Sequence, residues 1–142
     1  MTSSNELLNH SRRVAELEIQ TSIVWLASVT DDGDLTDYEA LLATEVVFES
    51  AGMAAYGAQA VLAGMHDRRA AGTTGPGSNT RHVVSNIEVV VSATDNAEAR
   101  TDWQFFTNTH GARTLVLSGK YHDRWIRTLD GWRLAERRVA VG

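Results

Sequence analysis

The sequence predicts an α+β fold, a cone-shaped barrel in which three N-terminal helices pack on a curved, mostly antiparallel sheet, and three observations point to it. Helix-like patterning fills the first half of the chain and stops near residue 70. Beyond Thr80 come four long runs of strand composition, "RHVVSNIEVVVSA", "AEARTDWQFFTN", "RTLVLSGKYHDRWIRT" and "WRLAERRVAV". Their connections, "TDN", "THGA" and "LDG", are short and turn-like, which suits an antiparallel meander. A sheet face this apolar cannot be left in water, so the helices must cover its concave side and enclose a pocket.

Each element follows from local chemistry. Residues 5–29 contain no Pro or Gly, and Val14, Leu17, Ile23, Val24 and Leu26 supply an apolar side, with the half around Trp25 expected to be buried. "TDDGD" then breaks the helix, and Asp34 can cap a second one in which Leu35, Tyr38, Leu41 and Leu42 recur. Residues 45–50 read as a short strand, and "AGMAAYG" as a turn leading into a third helix over 58–70 with Val61, Leu62 and Met65 inward. The following "AGTTGPGSN" holds the only Pro, Pro76, and reads as a mobile stretch able to act as a lid, because His82 lies directly beyond it.

At 142 residues the chain is the size of one domain. Thirteen Lys and Arg against eighteen Asp and Glu leave a net charge of −5, which provides no basic field for nucleic acid or an anionic membrane surface; neither is an expected partner. Without Cys there are no disulfides, thiolate nucleophiles or cysteine-bound metals. The N-terminal residues lack the apolar run of a secretory signal, and no stretch of about twenty apolar residues occurs, so a cytoplasmic protein is expected. No GxSxG, GxGxxG, Walker-type loop or HExxH is present and the five His have no tight ligand spacing, so no cofactor and no metal are expected.

The residues with chemistry are Asp31, in the turn that closes the first helix, and His82, at the mouth of the first long strand. Singly, they read as a solvated turn acid and an exposed strand-end His. Together they are what a hydrogen-bonded pair requires if both elements border one cavity: the carboxylate fixes the ring tautomer and the imidazole carries a proton near neutral pH. Asn86 shares the face of His82 if no bulge intervenes and can hold a substrate oxygen. Asp102, beside Trp103, is either a second pocket acid or an outward residue paired with Arg124. On that next strand Lys120, His122 and Arg124 share one face and Tyr121 and Asp123 the other, so only one set sees the pocket. The Trp residues read as core or cavity wall, with Trp25 and Trp103 candidates to clamp a flat ligand.

The segments "WLASVTDDGDLTDYEALLATEVVFES", "TRHVVSNIEV" and "SGKYHDRWIRTLDGWRLAERRV" resemble the SnoaL-like branch of the NTF2-like superfamily over nearly the whole chain. The resemblance implies the cone-shaped fold, usually as a homodimer, with a deep pocket for a small molecule. It also implies proton-transfer chemistry, since scytalone dehydratases, a hexachlorocyclohexane dehydrochlorinase and bile-acid dehydratases in that superfamily use a His/Asp pair to which His82 and Asp31 correspond. Structural roles for Tyr121, Asp123, Trp132 and Arg138 are implied, with His122 lining the cavity. Scytalone-type dehydratases carry a Tyr just before the Asp and another ending the first strand, where this chain has Val29 or Thr30 and Ser50. A cofactor-free dehydratase, isomerase or aldol cyclase is therefore one expectation; the other is a non-catalytic assembly subunit similar to the small subunit of ring-hydroxylating dioxygenases.

Overall fold

The computed structural model describes residues 3–142. Its first helix, α1 (Ser4–Asp32), is closed at the front by a capping box: the Ser3 side chain accepts from the Glu6 amide and the Glu6 carboxylate accepts from the Ser3 amide. Ile19, Ile23, Leu26 and Val29 recur at helical spacing and are buried, while Val14, Leu17 and Val24 are exposed. The inward stripe is thus rotated from the expected one, and α1 runs three residues past Val29, so Asp31 belongs to its last turn. Asp34 caps the next helix as predicted, its carboxylate accepting from the Thr36 amide at 2.9 Å. That helix, α2 (Leu35–Glu39), is a single turn, and Leu42 opens a strand instead of continuing it.

Strand β1 (Leu42–Ser50) folds back on β2 (Met53–Tyr56), a strand where the sequence suggested only a turn. Ala51 and Gly52, with φ of 53° and 77°, make the two-residue hairpin bend whose twist matches the flanking strands. An Ala in the first of these left-handed positions hides that signal. Helix α3 (Ala58–Ala70) follows, with Val61, Leu62 and Met65 inward.

The remaining strands, β3 (Arg81–Ala93), β4 (Asn96–Thr107), β5 (Thr114–Thr128) and β6 (Gly131–Val141), form the expected antiparallel meander. The whole sheet runs β2-β1-β6-β5-β4-β3, with β1 parallel to β6, and curves without closing. Helices lie on its concave side, where Trp125, Trp132, Leu134 and Val46 pack with the α1 stripe into the core. Gly119 permits one close approach that the site needs. A Cβ there would lie 1.8 Å from the Ala140 carbonyl oxygen and 3.0 Å from the Trp103 ring, so only glycine lets β5 pass beneath that indole.

Candidate active site

Asp31 and His82 meet inside the cone. Asp31 reaches β3 from the end of α1, accepting from the His82 backbone amide with Oδ2 at 2.8 Å and facing the ring Nδ1 with Oδ1, also at 2.8 Å. A carboxylate can only accept, so the ring proton belongs on Nδ1, leaving Nε2 with its lone pair free. Gripping amide and ring together fixes both the backbone and the rotamer of His82. The Asp31 side chain is 4% exposed and that of His82 17%. Phe105, directly opposite in the β3–β4 register, flanks the imidazole with ring centroids 4.8 Å apart.

His82 lines a cavity of about 560 Å³, a volume in the range that takes a drug-sized ligand, with mostly apolar walls. Ile23 and Leu26 of α1, Phe48 of β1, Val61 and Met65 of α3 and Trp103 of β4 supply them. Polar groups interrupt these walls. Tyr121 lines the cavity, stacked on Trp103 at 5.8 Å, and the Arg137 guanidinium lies 4.0 Å above the Tyr121 ring. Arg137 donates Nε and Nη2 to the two oxygens of Asp123 at 2.9 and 2.8 Å, a buried bidentate pair. Burial opposes the guanidinium charge, but Asp123 overrides it and holds Arg137 above the ordinary arginine value. Desolvation pushes the Tyr121 phenol up to about 12 and raises Tyr38 as well, with Arg137 pulling both the other way. Both hydroxyls therefore stay protonated at neutral pH. Tyr38, Tyr121 and Arg137 all line the cavity, with the Arg137 side chain also in hydrogen-bonding reach of the Tyr38 hydroxyl, so together they form a donor cluster on the cavity wall.

Several predicted site residues lie elsewhere. His122 faces outward, in a charged groove with Arg100, Arg124 and Arg138. Strand alternation settles the open question for β5: Tyr121 and Asp123 turn inward, so His122 cannot. Asn86 sits at the very bulge that would remove it from the face of His82; its φ is 50°, the register shifts between Ser85 and Glu88, and its exposed amide donates to Asp102 at 2.8 Å. Asp102 is an outward residue, not a pocket acid, and its cross-strand partner is Lys120 and not Arg124. The Asn86 amide and then Lys120 lower its pKa. Trp25 is half-exposed on the far side of α1, beside Leu17 and Val24, and lines no part of the interior cavity. Only Trp103 of that pair walls the pocket. Arg138 points out to solvent, and the buried partner of Asp123 is its neighbour Arg137, one residue out of phase with the reading of the motif.

The segment 71–80 is not a free flap. Thr74 is buried, the Thr73 amide donates to the Arg68 carbonyl, and the Thr109 amide donates to the Asn79 carbonyl, so the segment packs as a wall with Thr73 and Thr74 on the cavity. Among the described residues no three His, Asp or Glu side chains converge as metal ligands do, and no helix is long and apolar enough to cross a membrane.

Tyr38, Tyr121 and Arg137 were missed as cavity donors. For Tyr121 the signal was the alternation of β5 itself, readable once Asp123 is recognised as one half of a buried ion pair.

Comparison with known proteins agrees with this architecture. The family model described as a SnoaL-like domain matches residues 12–138. An NTF2-like protein with a cystatin-like fold from Novosphingobium aromaticivorans superposes with a TM-score of 0.82 at 23% identity, covering 99% of this chain and 91% of that one. A provisionally assigned scytalone dehydratase from the same organism gives 0.75 at 16% identity, covering 94% and 88%. The beta subunit of a provisionally assigned aromatic-ring-hydroxylating dioxygenase, again from that organism, gives 0.73 at 19%, covering 91% and 90%. No curated protein matches the sequence.

Proposed function

The chain belongs to the SnoaL-like family, and from that premise we propose that it is an acid/base lyase or isomerase acting, without a cofactor, on an apolar, carbonyl-bearing small molecule of the polyketide, terpenoid or steroid kind. The observation that carries this reading is the contact of Asp31 with Nδ1 of His82 at the wall of a ligand-sized apolar cavity. Nε2 takes a proton from the carbon next to the carbonyl, and the C–H electron pair moves into the enolate. Asp31 stabilises the resulting imidazolium. The enolate oxygen is held by donors of the Tyr38, Tyr121 and Arg137 cluster, in place before charge develops. The proton then returns from Nε2 to a departing hydroxyl, giving water and an enone, or to another carbon, moving the double bond. These donors take the place of the tyrosines that the scytalone-type pattern carries where this chain has Val29 or Thr30 and Ser50.

A second reading, an assembly subunit without catalysis, has the likeness to the dioxygenase beta subunit on its side. Such a subunit needs neither an open cavity nor an oriented imidazole, and the presence of both favours the enzyme. The reading is tested on proton abstraction alone, with 2-tetralone as a ketone probe in D₂O and α-proton exchange followed by NMR. Exchange accelerated by the protein and reduced roughly 10²- to 10⁴-fold in His82→Ala, with the melting temperature nearly unchanged, is the expected result. Exchange that survives in His82→Ala overturns it.

A further inference from the structure

The acid of the pair occupies an awkward place. The C-terminal carbonyls of a helix carry about half a negative charge, and a carboxylate in the last turn adds a full one beside it. Asp31 is in that turn of α1, buried, and the turn contains no basic residue of its own. A cation must come from elsewhere for this carboxylate to be well placed.

Arg69 supplies it. From the last turn of α3 it donates Nη2 to the carbonyl oxygens of Val29, at 2.7 Å, and Thr30, at 3.3 Å, the two residues preceding Asp31. Its stem is fenced in from the other side by Gly75. That residue has φ +93°, and a Cβ on it would fall 2.8 Å from both Cγ and Nε of Arg69. The wall segment 71–80 therefore closes directly on the guanidinium stem, and Arg69 ties together three elements: α3, the cavity wall and the end of α1. Arg69 and Asp31 make no ion pair with each other.

We propose that Arg69 is a positioning residue for the acid/base pair: by hydrogen-bonding the carbonyl end of α1 and fixing its last turn, it keeps the Asp31 carboxylate aimed at His82. This rests on the proposed role of the pair for its functional meaning, but the arrangement can be tested without substrate. Other charged or titratable groups near this helix end include His82 from β3, Tyr121 from β5, which feels the Asp31 charge, exposed Asp32, and exposed Asp34 at the start of α2, which feels both Arg69 and His66 of α3. Arg69 is the cation of α3 that hydrogen-bonds the end of α1.

The test reads the His82 ring by ¹⁵N–¹H correlation NMR on the full chain, where Nδ1–H and Nε2–H tautomers are distinct. In the native protein the Nδ1–H form dominates. Arg69→Met, which keeps the stem and removes the charge, shifts the tautomer ratio about two- to fivefold toward Nε2–H. Gly75→Ala shifts it the same way while leaving the arginine charge present, because the added methyl displaces the guanidinium. Arg69→Lys retains an intermediate ratio, and Arg12→Met, on the exposed start of α1, leaves it untouched. A ratio unmoved in Arg69→Met, even with a lowered melting temperature, makes Arg69 a merely structural brace and overturns the proposal. Should Arg69→Met not fold, an unmoved ratio in Gly75→Ala overturns it alone. Loss of ketone exchange in His82→Ala is a separate result, so the two readings fail separately.

Discussion

Along β5, Tyr121 and Asp123 turn into the cone while Lys120, His122 and Arg124 turn out of it, and ion pairs on the two sides of this one strand follow different rules. Inside, Asp123 and Arg137 bind through two parallel hydrogen bonds, with the carboxylate fully buried. Outside, Asp102 and Lys120 pair in a wet environment, with about half of the lysine side chain exposed. The difference is dielectric. Water screens the outer pair and solvates either partner if the other is removed, whereas nothing replaces a lost partner inside. The inner side can therefore hold charges in fixed geometry against a ligand.

The comparison breaks most sharply at Arg137. Arg137→Met leaves the Asp123 carboxylate buried and alone, and a loss of about 3 to 5 kcal/mol in urea unfolding is expected. The double variant Arg137→Met, Asp123→Leu should regain most of that stability, since an apolar pair of similar volume has no charge to desolvate. Recovery of stability without recovery of ketone exchange would separate the structural from the chemical work of the pair. No loss in the single variant would mean that water reaches Asp123.

A smaller effect is expected from Tyr121. Its phenol is raised to about 12 in the folded protein, chiefly by burial, against an ordinary value of 10.0. A raised folded value means the unfolded chain loses its proton first. Stability from this group is present in full below pH 10 and is lost as pH rises from there to about 12, on the order of 2 to 3 kcal/mol across the window. Urea unfolding at stepped alkaline pH reads it directly, and Tyr121→Phe should flatten that slope. A slope unchanged by the substitution would place the alkaline sensitivity elsewhere, with Tyr38 the next group to replace.

Which side a residue takes was legible in the sequence only in part. The helices, the four long strands and their meander could be read because period and turn chemistry are local properties. The junction of Asp31 with His82, 51 positions apart, followed from placing a helix end and a strand mouth on one cavity. Three things resisted. Asn86 adopts a left-handed backbone at a bulge, which reverses the facing of the later β3 residues without changing composition. The "AGMAAYG" run reads as a turn because Ala has little strand preference, although its hairpin partner β1 makes Met53–Tyr56 a strand. For Arg137 and Arg138, two identical neighbours differ only in parity, and parity is set by the register of β6 against β5.

The outer side gives the smallest effect, and it sharpens the contrast by a null result with a salt signature. Asp102 has its pKa lowered by the Asn86 amide first and Lys120 second, and it is solvent-exposed. A depressed acid contributes above its unfolded value of 3.8 and loses that contribution as pH falls through the lower folded value. Because water and ions screen an exposed pair, Lys120→Met should leave the melting temperature at neutral pH and physiological salt unmoved. Only at low ionic strength should wild type and variant diverge slightly at neutral pH, and either added salt or acid, which protonates Asp102, should erase the gap. Ketone exchange should be the same in both, since Lys120 points away from the cavity. A fall in exchange in Lys120→Met would mean that the outer face of β5 reaches the chemistry, and the division of labour between its two sides would not hold.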